Sequence, residues 1–182
     1  ERLAAGVDLK DAATLVDKPG IGLLYWYSTN LGKWGNAQDI TVVLTYKDRI
    51  YAIMEQVYNL DTNFFWGAAD RYFGAYYSIA PSFAGGDLDR SWKHFEASRK
   101  IAPDYIATYN LVAEFYAPKK QDEALFDAMT QKVLDAPVLL VVDAGGASRS
   151  VHAMALGYAG FDPGVRVAGV IFNRVGSARH LA

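Results

Sequence analysis

The character of the sequence changes at Leu134-Asp135-Ala136-Pro137, and this change limits the chain to a composite of two parts. Upstream, aromatic and aliphatic residues recur at helical spacing. Downstream, Val138–Val142 is a continuous apolar run that leads through Asp143 to Gly145-Gly146, which is typical of a buried parallel strand and a turn. We therefore predict two domains, residues 1–136 and residues 137–182.

The composition excludes several classes of function. Of the 182 residues 52% are hydrophobic, which is enough apolar material for a packed core. A net charge of −2 and the lack of a basic run with interleaved aromatics argue against a nucleic-acid partner. The absence of cysteine excludes disulfides, cysteine nucleophiles and thiolate metal sites. No segment reaches the roughly 18 uncharged apolar residues of a membrane span.

The upstream part is predicted to consist of paired amphipathic helices. Apolar residues recur close to the i, i+3, i+4, i+7 spacing, Pro19 can open the first helix, and Asp87 can cap another. Pro81–Gly86 is a loop. The predicted helices are 23–34, 41–59, 65–78, 88–101, 105–116 and 121–134.

The helical pattern repeats at about 42 residues, since Leu31-Gly32 corresponds to Phe73-Gly74. Gly74, Phe95 and Pro103 suit a tetratricopeptide-like unit, with a small residue where helices cross, an aromatic knob and a helix-ending proline. The long offset from Gly74 to Phe95 implies an insertion between the two helices. The predicted fold is therefore mainly α, a tetratricopeptide-like bundle of helical pairs followed by a C-terminal βαβ fragment.

Several motifs in order carry a family resemblance over about residues 20–135. They are Leu24-Tyr25-Trp26-Tyr27, Phe73-Gly74-Ala75-Tyr76-Tyr77, Gly85-Gly86-Asp87-Leu88, Ala102-Pro103-Asp104-Tyr105 and Glu114-Phe115-Tyr116. This part resembles the TatT family, the tetratricopeptide-like component associated with some TRAP transporters. The resemblance implies a protein of the periplasm or cell envelope that works beside a solute-binding protein. It also implies an apolar ligand in a central channel. No signal segment or lipoprotein cysteine accompanies the motifs, so these residues do not support the lipid anchor that is frequent in the family.

Aromatic side chains supply the candidate ligand-binding residues. Tyr25, Trp26 and Tyr27 are consecutive and about 100° apart on a helix, so at least one must face a groove, a partner or solvent. Tyrosine and tryptophan combine apolar area with one polar tip, which suits a small apolar or amphipathic solute. The alternative is that these aromatics form the seam between repeats. The candidates are Tyr25, Trp26, Trp34, Trp66, Tyr72 and Tyr76.

The polar residues of the helical part do not indicate a catalytic or metal-binding site. His94 has no second ligand at metal spacing, so we predict a surface or half-buried histidine and no metal site. Asp87 and Asp89 are interpreted as helix-start residues, with a general acid/base pair as the remote alternative.

The downstream part is predicted to be one βαβ unit. A strand at Pro137–Asp143, covered on both faces, leads to a helix from Ser148 to about Tyr158, and a second strand follows at Val165–Asn173. Pro137–Asp143, Ser148-Arg149-Ser150 and Gly169–Ser177 resemble part of the cobyrinate a,c-diamide synthase family. By resemblance, Asn173 lies near the nucleotide end of such a site.

The downstream part lacks the machinery of that enzyme family. It has no G-x-x-x-x-G-K-[ST] phosphate loop and no cysteine to serve as glutaminase nucleophile. We therefore predict no catalytic residue and no cofactor. The preferred function is a non-catalytic binding protein for a solute, a transporter partner or both, with a homo-oligomer left open. The alternatives are a fragment of a glutamine-dependent cobyrinate a,c-diamide synthase and an artificial or mispredicted fusion.

Overall fold

A computed structural model of the chain describes residues 9–145, 150–161 and 164–176. The chain divides into two compact units, Glu1–Glu123 and Ala124–Ala182, which are called the helical unit and the α/β unit. Among the described helices, none is long and apolar enough to span a membrane.

The helical unit follows the predicted order of helices closely. Asp87 caps α5 as predicted, because its Oδ1 accepts hydrogen bonds from the backbone N–H groups of Asp89 and Arg90, both at 3.0 Å. Asp39 caps α3 in the same way through the Thr41 N–H, at 2.8 Å. The helices are α1 Leu9–Ala13, α2 Ile21–Gln38, α3 Ile40–Leu60, α4 Phe64–Ile79, α5 Leu88–Ile101, α6 Ile106–Leu111 and α7 Ala117–Lys120.

Successive helices pack as pairs, α2 on α3 and α4 on α5, and α3 also packs on α4. The crossing of α4 and α5 depends on Gly74, as its spacing predicts. A Cβ atom at Gly74 would lie 2.7 Å from Cδ1 of Phe95, a ring that is fully buried. The core of the unit includes Ile53, Met54 and Val57 of α3, each at most 2% exposed.

The third helical pair lies close to the predicted helices 105–116 and 121–134, but its first helix contains a π-helical turn and continues to Lys120. A π-helical turn, Val112–Tyr116, joins α6 to α7, and Gln121 ends α7 with a φ of 55°. The next helix, α8, spans Glu123–Leu134. Nearly all of it belongs to the α/β unit, whereas the predicted domain boundary was drawn after residue 136.

The α/β unit contains the predicted β-α-β order. Strands β1 (Val138–Asp143) and β2 (Val167–Asn173) are parallel, with Asp143 opposite Asn173, and helix α9 (Ser150–Phe161) lies between them in sequence. α9 ends three residues later than predicted. The predicted helix start at Ser148 lies outside the described residues.

The prediction that the first strand is covered on both faces is wrong. Of β1, Val142 alone is buried, and it packs in a small core with Ala144, Val151 and Ala155. Leu139 and Val141 are each 62% exposed. The continuous apolar run is typical of a strand between two helical layers, but α9 is the one described helix that buries side chains against this sheet.

Candidate solute site

Two adjoining cavities form a groove along the helical unit. The first, called the Arg71 cavity, has a volume of about 350 Å³, and the second, called the Lys47 cavity, about 480 Å³. These volumes are typical of small-molecule sites. The two cavities share Gly32, Ile50, Tyr72 and Ala75, so they adjoin along one line. The Arg71 cavity is also lined by Tyr25, Ser28, Thr29, Lys33, Met54, Ala68, Arg71 and Leu111, and the Lys47 cavity by Asn36, Val43, Leu44, Lys47, Tyr76, Ile79, Ala80, Pro81 and Ala84.

The groove lies between one face of α2 and one face of α4. In the Arg71 cavity, each helix contributes four residues at the spacing i, i+3, i+4, i+7, which places them on a single face, and α2 adds Lys33. The two sets are 43 residues apart, one residue more than the repeat that aligns Gly32 with Gly74, so the two helices turn different sides of the repeat toward the groove. Gly32 and Ala75 end the two sets, and their small side chains leave space between the helices. The sets are Tyr25, Ser28, Thr29 and Gly32 on α2, and Ala68, Arg71, Tyr72 and Ala75 on α4.

Helix α3 forms the floor of the groove and is mainly apolar there. Ile50 and Met54 are 8% and 2% exposed. The Ser28 hydroxyl lies 3.1 Å from the Met54 sulfur and donates to the Tyr25 carbonyl at 2.9 Å, so it is already bonded within the protein. Burial raises the pKa of the Tyr72 phenol well above its ordinary value, and the neighbouring Tyr76 adds to the effect. Tyr72 therefore faces the groove as a neutral hydroxyl group.

Arg71 is a buried cation in the wall of this groove, with only 5% of the residue exposed. Its guanidinium donates to the carbonyl oxygen of Phe65, at 2.8 Å, and to that of Trp66. Its Cζ lies 4.2 Å from the centre of the Tyr105 ring. Burial lowers the pKa of Arg71, and the neighbouring phenols of Tyr105 and Tyr25 oppose this. The guanidinium group of an arginine stays protonated in proteins, so Arg71 is a cation.

The carbonyls that hold Arg71 belong to a left-handed turn at the beginning of α4. Phe65, Trp66 and Gly67 have φ values of 46°, 57° and 72°. Aromatic residues seldom adopt this conformation, so the surrounding contacts must stabilise it. The two hydrogen bonds from Arg71 are such contacts, because they hold the carbonyl groups of Phe65 and Trp66, two residues with positive φ, on one planar guanidinium group.

Three of the six predicted site residues line the groove. These are Tyr25, Tyr72 and Tyr76. The three tryptophans do not line either cavity, and their side chains are about half exposed: Trp26 50%, Trp34 48% and Trp66 54%.

The tryptophans instead pack on neighbouring rings at the surface. The Trp66 ring stacks on Tyr105 with centroids 5.2 Å apart, and Trp26 meets Tyr25 edge-on at 5.0 Å. The expectation that Tyr25, Trp26 and Tyr27 cannot all be buried is confirmed, since Trp26 and Tyr27 are 50% and 45% exposed.

Sequence reasoning missed the small and the charged residues of the groove. Gly32 and Ala75 create its space, and Arg71, Lys33 and Lys47 bring charge to it. A signal for Arg71 was available, because Asp70-Arg71 is the sole charged pair in the otherwise apolar and aromatic helix Phe64–Ile79.

His94 is half-buried, as predicted, and pairs with Asp70. Its Nδ1 lies 2.7 Å from Oδ1 of Asp70, a carboxylate that is 2% exposed, and its ring stacks on Tyr77. Among the described residues, no group of three potential ligands could hold a metal ion.

The α/β unit brings three polar residues together at the carboxyl end of its strands. Asp143 accepts from the Gly145 N–H at 2.8 Å and from the Arg174 guanidinium at 3.0 Å. Asn173, opposite Asp143 in the sheet, accepts from the Arg174 N–H at 2.9 Å. All of these groups are exposed, and together they form an open edge of the sheet.

Comparison with known families assigns the larger part of the chain. A family model described as the TRAP transporter T-component matches residues 2–142. The chain belongs to this family. The groove between α2 and α4 is therefore a feature of a transporter-associated component.

The chain also contains a short stretch similar to curated a,c-diamide synthases. It is 64% identical over 47 residues to the cobyrinate a,c-diamide synthase of Syntrophotalea carbinolica, which covers 26% of this chain and 10% of that enzyme. It is 60% identical over 50 residues to the hydrogenobyrinate a,c-diamide synthase of Thermobifida fusca, and this match covers 28% of the chain and 10% of that enzyme. The chain thus spans about a tenth of the length of these curated relatives.

Proposed function

We propose that the helical unit binds a small apolar or amphipathic solute in the groove between α2 and α4, as a non-catalytic component of a TRAP transporter. One observation carries the proposal: the facing sides of α2 and α4, the first helices of two successive repeats, enclose adjoining cavities of about 350 and 480 Å³. Stacked repeats commonly form concave binding surfaces. The lining is largely apolar, and the Tyr25, Tyr72 and Tyr76 hydroxyls can orient a polar end of the solute.

The alternative, that these aromatics merely form the seam between repeats, requires full burial without an adjoining space. Tyr25, Tyr72 and Tyr76 are only partly buried, and each borders a cavity. This arrangement favours the solute site over the seam.

A transporter partner is the second part of the proposal. The solute-binding protein of the transporter is the partner we expect, in the periplasm or cell envelope, because the family is defined by its place in the transporter. The exposed Trp26, Trp34 and Trp66 suit contact with a protein, since tryptophan is enriched at protein interfaces.

We assign no reaction to residues 137–182, which we treat as a separate domain. The likeness to the diamide synthases covers about a tenth of those enzymes and brings neither a phosphate loop nor a cysteine. We expect this domain to accompany the solute-binding unit without an activity of its own.

A fluorescent probe tests the solute site. N-phenyl-1-naphthylamine, which emits strongly in apolar surroundings, is titrated into the full chain. Ala75 borders both cavities, so Ala75→Phe should fill the groove and weaken probe binding at least tenfold. Ala107→Phe, on an exposed site of α6, is the matched control and should leave binding unchanged. Equal binding by the two variants, or no saturable binding by the parent chain, would overturn the proposal.

A further inference from the structure

Every charged side chain that lines the two cavities is a cation. Lys33 and Arg71 border the Arg71 cavity, and Lys47 borders the other. The whole chain has more acidic than basic residues, 20 against 18, so the charge of the cavity lining is opposite in sign to the net charge of the chain. Asp48, which acts electrostatically on Tyr72, is exposed and does not line either cavity. The groove is therefore locally positive within an acidic protein.

No salt bridge among the described residues joins these three cations to a carboxylate, and the charge of Asp70 acts on Arg71 only after burial and the neighbouring tyrosines in order of effect. Asp70, next to Arg71 in sequence, directs its Oδ1 to His94 instead. The hydrogen-bond and ring partners of Arg71 are neutral: the carbonyl groups of Phe65 and Trp66, the Tyr25 side chain and the Tyr105 ring. A buried cation with neutral partners lowers its free energy further when an anion binds beside it.

The guanidinium is also fixed in orientation. Its two hydrogen bonds to the carbonyls of Phe65 and Trp66 and its contact with Tyr105 use part of its five N–H donors. A planar guanidinium presents its donors in a geometry that matches a carboxylate. A pre-oriented donor loses little conformational entropy when a ligand binds.

We propose that the solute is an amphipathic organic anion, a single apolar chain that ends in a carboxylate, with its head group beside Arg71 and Lys33. This inference rests on the proposed solute site and adds the class of solute. The chain would extend along α4 from Arg71 towards Ile79, a distance of about 12 Å at the helical rise per residue. Ile50, Tyr72, Ala75 and Tyr76 lie along this path.

Three probes with the same apolar chain separate the head group from the tail. Binding of decanoate, 1-decanol and decyltrimethylammonium to the full chain is measured by displacement of N-phenyl-1-naphthylamine. We expect decanoate to bind roughly tenfold more tightly than 1-decanol, and the cation to bind most weakly. Equal affinity for decanoate and 1-decanol would overturn the anion proposal while leaving the solute site intact. Failure of all three probes would instead overturn the solute site itself.

Charge-removing variants locate the head group. Arg71→Gln should weaken decanoate binding roughly tenfold to a hundredfold and change 1-decanol binding little. Because Arg71 also holds the turn at Phe65 and Trp66, Lys33→Gln is the companion variant, with an expected loss of about two- to fivefold for decanoate alone. Lys93→Gln, on an exposed site of α5 outside both cavities, is the matched control. A Lys33→Gln variant that behaves like Lys93→Gln, together with an unchanged decanoate preference in folded Arg71→Gln, would refute the assignment.

Discussion

Replacing Gly74 and Gly32 by alanine should change stability in opposite directions, although the two glycines are equivalent in successive repeats. A Cβ at Gly74 would lie 2.7 Å from the Phe95 ring, whereas a Cβ at Gly32 would find its nearest neighbour, Ile50 Cδ1, at an ordinary 3.7 Å. Carbon atoms pack favourably at roughly 3.5–4.0 Å, so at Gly74 the ring or the helix must move by about 1 Å.

The expected magnitude combines two opposing effects. Alanine in a helix interior is more favourable than glycine by roughly 0.5–1 kcal/mol. Overpacking of a core costs about 1–3 kcal/mol, and Phe95 is fully buried, so it has little space to yield. We therefore expect Gly74→Ala to lower the free energy of unfolding by about 1–2 kcal/mol. Gly32→Ala should raise it by roughly 0.5–1 kcal/mol, because it avoids the clash.

Urea unfolding followed by circular dichroism measures both effects as shifts of the midpoint at constant slope. The double variant Gly74→Ala/Phe95→Leu, compared with Phe95→Leu alone, identifies the cause, since a smaller side chain at this position should remove much of the penalty of the Gly74 substitution. If Gly74→Ala stabilises the protein as much as Gly32→Ala does, the close crossing of α4 and α5 is refuted. If the penalty is undiminished in the Phe95→Leu background, the clash lies elsewhere.

Three further outcomes are expected. Asp87→Ala should lower the free energy of unfolding by about 1 kcal/mol, and Asp87→Asn by less, because asparagine can still cap α5; urea midpoints would decide. Burial raises the pKa of Tyr72 and Tyr77 in the folded chain, so the unfolded chain loses these protons first and stability should fall as pH rises above about 10; urea midpoints that stay constant from pH 8 to pH 11 would contradict this. The chain should not hydrolyse ATP, and saturable magnesium-dependent phosphate release, abolished by Asn173→Ala, would contradict that expectation.

The helical pairs could be predicted from the sequence because their signals are local. Apolar spacing located α3 and α5 to within one residue at each end, and Asp87 and Gly74 act as their positions indicate. The π-helical turn at Val112–Tyr116 could not be predicted, since such a turn depends on the packing around it, where Tyr116 stacks on Trp92.

The strand Val138–Asp143 shows where local pattern misleads. Its composition is that of a strand in a larger sheet, and a sequence of this kind does not reveal how many neighbours the strand has. The exposed Leu139 and Val141 follow from a sheet that has two described strands and a single covering helix.

The candidate site was half predictable. Aromatic residues were chosen as candidates because tyrosine and tryptophan combine apolar area with a polar tip. This criterion selected Tyr25, Tyr72 and Tyr76, which line the groove. It also selected three tryptophans that lie at the surface. Gly32 and Ala75 were missed because a cavity is defined by the side chains that are small, and composition gives no sign of where space is left.

Methyl NMR of the full chain tests most directly whether the groove binds a solute. Ile50 borders both cavities, whereas Ile53, three residues along α3, is fully packed in the core and borders neither. During titration with decanoate and, separately, with 1-decanol, the δ1 methyl of Ile50 and the ε methyl of Met54 should shift saturably, and that of Ile53 should shift little. Shifts of Ile50 no larger than those of Ile53 with either ligand would contradict a solute site between α2 and α4.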